Sequence, residues 1–226
     1  MELFTNGIGL SVVVFFPLIS AFVITLIPKA QEQLIKRFAL ASSLITFVLS
    51  AILLFQFDFS SAEKLQLGNK ISWIKSINAN YEIGIDGISL PLLVLSTFIT
   101  VLAIIYSLEH LPEPKSPKGF LALILVLETG MNGTFVALDL ILFFVFFEIV
   151  LLPMYFMIGI WGDKTVRTVS GFKNQIETRL YASIKFFVFT LFGSAFMLLG
   201  FLGLYYRGNK TFSIPELIEL GTSGAF

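Results

Sequence analysis

Residues 119–161 read GFLALILVLETGMNGTFVALDLILFFVFFEIVLLPMYFMIGIW, and only Glu128, Asp139 and Glu148 carry charge within them. As one helix rising about 1.5 Å per residue, this block would be about 65 Å long, twice the roughly 30 Å hydrocarbon core of a bilayer. It therefore has to fold back once. Turn and capping residues gather only around Asn132, Gly133 and Asp139, which puts the expected turn there. Backbone groups left unpaired in lipid are costly, so each half is expected to be helical and the fold class all-α.

Working outward, further apolar runs cover 8–27, 38–57, 87–108 and 180–206, which together with 119–138 and 139–161 give six expected spans. The composition agrees: 56% of residues are hydrophobic, 13% are charged and the mean hydropathy is +0.90, which excludes a water-soluble domain. Net charge is zero and no glycine-rich loop follows a strand-like run, so neither nucleic acid nor a nucleotide phosphate is an expected ligand. The chain has no Cys and one His, His110, which stands in a charged connection beside Glu109, Glu113 and Lys115. Disulfides, thiolate metal sites, iron–sulfur ligation and paired-His haem are thereby excluded from this chain. No cofactor or metal residue is expected here, and redox chemistry falls to partners.

Lys and Arg counts orient the spans. Connections 28–37, 109–118 and 162–179 hold nine (Lys29, Lys36, Arg37, Lys115, Lys118, Lys164, Arg167, Lys173, Arg179). The opposite side holds five: Lys64, Lys70, Lys75, Arg207 and Lys210. The positive-inside rule then puts the amino terminus outside. Glu2, in place of a basic cluster, argues against a cleaved signal and for a retained first span. Connection 58–86, too short for a domain, carries Phe59, Trp73 and Tyr81 as expected interface anchors. Ser213-Ile214-Pro215-Glu216 has capping-box spacing and predicts a short surface helix before Gly221.

Charge inside a membrane is the strongest functional signal, because an ionisable group at mid-bilayer costs at least about 2.5 kcal/mol. Glu148 lies nine residues into its span from Asp139, and Glu128 nine residues into the preceding span from Gly119, so both are expected near one level of the membrane. Buried carboxyls of that kind hold or release a proton according to the nearby cation or water, as in a proton relay. The alternative is a protonated carboxyl that only bonds neighbouring helices together. Pro153 removes the hydrogen bond to the carbonyl of Ile149 and is a candidate for local helix distortion and hydration beside Glu148. Lys185 enters only about 7.5 Å from Leu180 and its side chain leans back toward the helix start, so relay and snorkelling anchor stand equal. Asp86 and Asp139 precede spans and are read as helix caps.

Three strings resemble one family: Asp86-Gly87-Ile88-Ser89-Leu90-Pro91, the run LDLILFFVFFEIVLLPMYFMIGIW from Leu138 to Trp161 with Gly162, and Tyr181-Ala182-Ser183-Ile184-Lys185-Phe186-Phe187. They are similar to the antiporter-like membrane subunit of respiratory complex I called chain 4 or subunit M, over about Tyr81 to Tyr205. The resemblance implies a proton-translocating subunit of NADH:quinone oxidoreductase, in which Glu148 is a central channel residue and Lys185 belongs to the same charged path. It implies that FMN, iron–sulfur clusters and quinone are held by partner subunits. It further implies neighbouring antiporter-like subunits, a lipid environment and an energy-transducing membrane, the bacterial plasma membrane being the first expectation. Family members have about fourteen helices in two inverted repeats, with the principal partner lysine on the seventh. Residues 1–118 would then be an amino-terminal three-helix region, and 119–226 the first three helices of the first repeat plus a tail. The remainder is expected from a longer chain or a second polypeptide. Two other readings stay open: a subunit of a Mrp-type cation/proton antiporter or membrane-bound hydrogenase, and a structural membrane scaffold.

Overall fold

The computed structural model describes residues 7–61, 64–114, 116–167 and 176–224; Glu2, Lys115 and Lys173 lie outside the described residues. Six helices among these are long and apolar enough to cross a membrane: α1 (Ile8–Leu26), α2 (Glu32–Gln56), α3 (Ser89–Glu109), α4 (Pro117–Val136), α5 (Leu140–Trp161) and α6 (Thr178–Arg207). The protein is thus a helical integral membrane protein. A shorter helix, α7 (Ile214–Thr222), follows.

Connection 58–86 holds an antiparallel hairpin of β1 (Gln66–Ile74) and β2 (Ala79–Ile85), with Lys70 opposite Glu82 and Ile71 opposite Tyr81. Asn78 takes a positive φ of 53° at the turn, a conformation asparagine tolerates. A second, two-residue pairing joins β3 (Val166–Arg167) and β4 (Ile176–Glu177) between α5 and α6.

The α4–α5 turn is tighter than the sequence suggests. Asn132 and Gly133 are buried inside α4, and only Ala137, Leu138 and Asp139 separate the helices. The physical reason is that neither residue is needed for a turn. A Cβ on Gly133 would run into the Phe146 ring, and one on Gly130 would stand 2.7 Å from Val150 Cγ2, so both glycines let α4 and α5 approach closely.

The three turn residues behave as a short strand. Leu138 donates to the carbonyl of Glu82 at 2.8 Å, Leu140 to that of Phe212 at 2.9 Å, and Ile214 to that of Leu138 at 2.8 Å. The hairpin, the α4–α5 turn and the start of α7 are joined at what is here termed the hairpin end. The capping box expected at Ser213 does not form. Glu216 instead accepts from Lys70 Nζ at 2.7 Å and from Thr211 Oγ1 at 2.5 Å, because an ammonium and a hydroxyl outcompete a backbone amide for its carboxylate.

α4 is the most enclosed span and packs against α1, α2, α3 and α5. The apolar core of these helices falls into two clusters. One, at the hairpin end, centres on Leu10, Val14, Leu53, Leu93 and Phe146; the other, at the opposite end, on Ile24, Ile35, Ile104, Leu121 and Leu125. α6 packs mainly along α5 and exposes most of its surface.

Candidate functional site

Glu148 lies midway along α5, and its Oε1 is buried without a hydrogen-bond partner. It lines an apolar groove of about 450 Å³ with Leu18 of α1, Val126 of α4 and Val145, Ile149 and Leu152 of its own helix. A second groove of about 600 Å³ shares Val145 and Ile149 and continues to Ser11, Trp73 and Tyr81 at the hairpin end. There Ser11 Oγ and Tyr81 Oη are hydrogen-bonded at 2.9 Å. α5 runs unbroken through the buried Pro153. Proline has no N–H, so the carbonyl of Ile149, one of the two residues shared by the grooves, lacks its helical donor.

Glu128 is 0% exposed, and neither of its carboxyl oxygens has a hydrogen-bond partner. The Gly130 and Gly133 crossing points set the relative depth of α4 and α5, and Glu128 and Glu148 differ by about one turn, roughly 5 Å. They do not face one another. Val126, Gly130 and Gly133 form the seam toward α5, whereas Glu128 lies on the far side of α4, about 170° round from it.

Lys185 is exposed on α6, its Nζ 5.5 Å from the centre of the Tyr181 ring. Tyr155 meets Phe187 at 5.4 Å, and a Cβ on Gly159 would stand 3.3 Å from Ser183 Oγ. This antiparallel register puts Ser194, nine residues beyond Lys185, level with Glu148, so Lys185 lies about 13.5 Å away in depth. No ion pair between Glu148 and Lys185 occurs among the described residues.

The two aspartates act on backbone. Asp139 Oδ1 accepts from Ile141 and Leu142 N–H at 2.9 and 3.2 Å, capping α5, and its Oδ2 accepts from Asn80 N–H at 2.9 Å. Asp86 accepts from Ile88 and Ser89 N–H at 3.0 and 2.7 Å, and Ser89 Oγ accepts its N–H in return. Burial pushes the Asp86 carboxyl up, but the bonds from Ser89 and Ile88 outweigh that and hold it below the usual carboxylate range.

Sequence reasoning missed two features. At the end opposite the hairpin, Lys118 Nζ donates to the carbonyl of Ile27, Lys36 Nζ to that of Leu108 and Arg179 Nη1 to that of Ile160, at 2.7, 2.8 and 2.6 Å. These cations satisfy carbonyls at the carboxyl ends of α1, α3 and α5 and complement their dipoles. The second feature is a belt of buried Ser and Thr on α2 and α3 with Asn132 of α4. Its signal was legible as hydroxyls four apart in otherwise apolar runs, at 42, 46 and 50 and at 96 and 100.

Six spans and a hairpin-clamped α4–α5 turn, with one carboxyl oxygen of Glu148 buried on α5, define a polytopic helical membrane protein. The chain belongs to the family of NADH-ubiquinone oxidoreductase chain 4, whose amino-terminal model matches residues 12–134. A model described as NADH:quinone oxidoreductase/Mrp antiporter matches residues 137–225. Among curated relatives, NADH-ubiquinone oxidoreductase chain 4 of Mycosarcoma maydis is 38% identical over 93% of this chain and 41% of its own length. F(420)H(2) dehydrogenase subunit M of Methanosarcina mazei is 36% identical over 92% of this chain and 39% of its own. The chain thus spans about two fifths of the length of these relatives. A chain in respiratory complex I from Thermus thermophilus shares the fold, with a TM-score of 0.73 at 23% identity, covering 93% of this chain and 39% of that one.

Proposed function

We propose that the protein acts as a proton-translocating membrane subunit of an NADH:quinone oxidoreductase, with Glu148 as the group that takes up and releases the proton at mid-membrane. The observation that carries this is the buried, unpartnered Oε1 of Glu148, which lines a groove that adjoins, through Val145 and Ile149, a second groove reaching the hairpin end. An isolated carboxyl there is costly unless its proton occupancy changes with a nearby charge or water. Glu128 contributes a second buried carboxyl about one turn away in depth, and the freed carbonyl of Ile149 beside Pro153 offers a hydration point. Lys185, about 13.5 Å away in depth, serves the same path only through intervening groups. Asp86 and Asp139 hold helix starts and move no proton.

In this reading the hairpin end faces outside and the end bearing Lys36, Lys118 and Arg179 faces the cytoplasm of an energy-transducing membrane, a bacterial plasma membrane in the first instance. FMN, iron–sulfur clusters and quinone belong to partner subunits, neighbouring antiporter-like subunits flank this one in lipid, and this chain holds no cofactor. The test is Glu148→Ala in the assembled complex. Proton pumping per electron should fall while assembly is kept, and a normal proton-to-electron ratio overturns the assignment.

A second reading, a subunit of a Mrp-type antiporter or membrane-bound hydrogenase, is favoured by the description of the family model over residues 137–225, which names both oxidoreductase and antiporter. Co-purification with NADH-oxidising subunits supports the first reading; co-purification with antiporter subunits alone supports the second. Unchanged pumping after simultaneous loss of Glu128, Glu148 and Lys185 would leave only a structural scaffold.

A further inference from the structure

The two apolar clusters of the α1–α4 bundle are separated at mid-depth by a polar belt. In its upper layer, toward the hairpin end, Ser50 Oγ and Thr97 Oγ1 are hydrogen-bonded at 2.7 Å, and Ser96 Oγ donates to Asn132 Oδ1 at 3.3 Å. Asn132 Nδ2 donates to the carbonyl of Val13 at 3.5 Å. Pro17 has no N–H to offer that carbonyl, so the amide of α4 takes the place of the missing helical donor.

These contacts fix the register of α2, α3 and α4. One turn further from the hairpin end, about 6 Å on, Thr46, Thr100 and Glu128 lie buried at a common level, with Thr129 beside Glu128 donating to the carbonyl of Leu125 within α4. Ser42 follows one turn beyond Thr46, 2% exposed.

The hydrogen-bond inventory of this level is lopsided. Thr46 Oγ1 donates to the carbonyl of Ser42 and Thr100 Oγ1 to that of Ser96, so each hydroxyl proton is used within its own helix and only oxygen lone pairs are left. Glu128 adds two oxygens with no partner, and Ser42 Oγ has none either. Among these four side chains an ionised carboxylate would find one uncommitted donor, the Ser42 hydroxyl, against the lone pairs of both threonines. A protonated one has a single donor for several acceptors.

We propose that α2, α3 and α4 enclose a water-binding site at this level, anchored by Glu128, Thr46, Thr100 and Ser42, and that Glu128 holds its proton there in exchange with the bound water. Water supplies two donors per molecule to a layer that has fewer donors than acceptors, and buried water of this kind links otherwise unsatisfied groups. The site lies on the opposite side of α4 from the Glu148 groove. It does not rest on the assignment of Glu148.

Infrared difference spectroscopy on the assembled complex in its membrane tests the proposal through the protonated carboxyl stretch of Glu128. That band should vanish in Glu128→Gln, persist in Glu148→Gln and shift when the sample is moved into deuterium oxide. Thr46→Val and Thr100→Val, near-isosteric and each removing one anchor, should move the band and delay its exchange. A band that does not exchange, or that ignores both valine variants, means a dry carboxyl packed between helices and overturns the proposal. So does the absence, from the difference between spectra in ordinary water and in deuterium oxide, of any band removed by Glu128→Gln, since Glu128 would then hold no exchanging proton. Loss of pumping in Glu148→Ala with a non-exchanging Glu128 band would sink this site and leave the proposed function standing; the converse pair of results would do the reverse.

Discussion

The carboxylate of Asp139 accepts the backbone N–H of Asn80 at 2.9 Å while its other oxygen caps α5. One buried anion thereby ties the hairpin to the helix that bears Glu148, nine residues on. The depth of Glu148 is set from that point, because an α-helix transmits a displacement of its first turn along its axis.

Asp139→Ala removes three acceptor contacts from buried amides and should destabilise the protein by about 2–4 kcal/mol. Asp139→Asn keeps an acceptor oxygen and should cost less. Thermal unfolding in detergent measures both, and an unchanged melting temperature for Asp139→Ala would show that the clamp contributes little.

Gly133 touches the Phe146 ring where α4 crosses α5. Gly133→Leu should push the helices apart and cost about 1–3 kcal/mol, with lower yield of assembled complex. Pairing it with Phe146→Ala should recover part of the loss, since the second change makes room for the first. A double variant no better than the single one would mean that the two residues do not share the contact.

Lys70 and Glu216 give the junction between hairpin and α7 a defined pH window. The Glu216 carboxyl is held below its usual range, first by the hydrogen bond from Lys70 and then by that from Thr211. Burial pulls the Lys70 ammonium down, but its bonds to Glu216 and Glu82 more than offset this and hold it above its usual value. A depressed carboxyl stabilises above its unfolded value and stops doing so as pH falls through the folded one. A raised ammonium stabilises below its unfolded value and stops as pH rises through the folded one. Amide-exchange protection of Ile214–Thr222 should therefore be level through neutral pH and decline at both extremes. Glu216→Gln should remove the acid limb; an identical profile in that variant would contradict the assignment.

Glu148 and Lys185 should not touch. With about 13.5 Å between them in depth, a double-mutant cycle of Glu148→Gln and Lys185→Met on unfolding free energy in detergent should give a coupling below about 0.5 kcal/mol. A coupling several times larger would require a contact that the register of α5 and α6 does not provide.

The spans were legible because length and hydrophobicity alone decide whether a segment crosses a bilayer, and the fold-back of 119–161 followed from arithmetic. The hairpin was not. Its strand β1 exposes most of its residues, so the alternation that marks a half-buried strand is weak there. Asn132 and Gly133 misled as turn signals because both residues also serve close helix packing, and a sequence does not say which use applies. For the site, the carboxyls stood out as charges in apolar runs, but counting put them at one level, whereas the close glycine crossings of α4 and α5 offset them by about one turn. Their opposed faces on α4 were not readable, because facing depends on which helices surround α4. The hydroxyl belt went unread for a related reason: Ser and Thr bond back to their own helix so readily that only the packing of three helices distinguishes a belt from filler.

Lys36, Lys118 and Arg179, which weigh in the charge count of the chain, end with their nitrogens on main-chain carbonyls of neighbouring helices. Under the proposed orientation, the same cations that bias threading also serve as helix terminators. Neutralising any one of the three would therefore disturb a helix end as well as the bias.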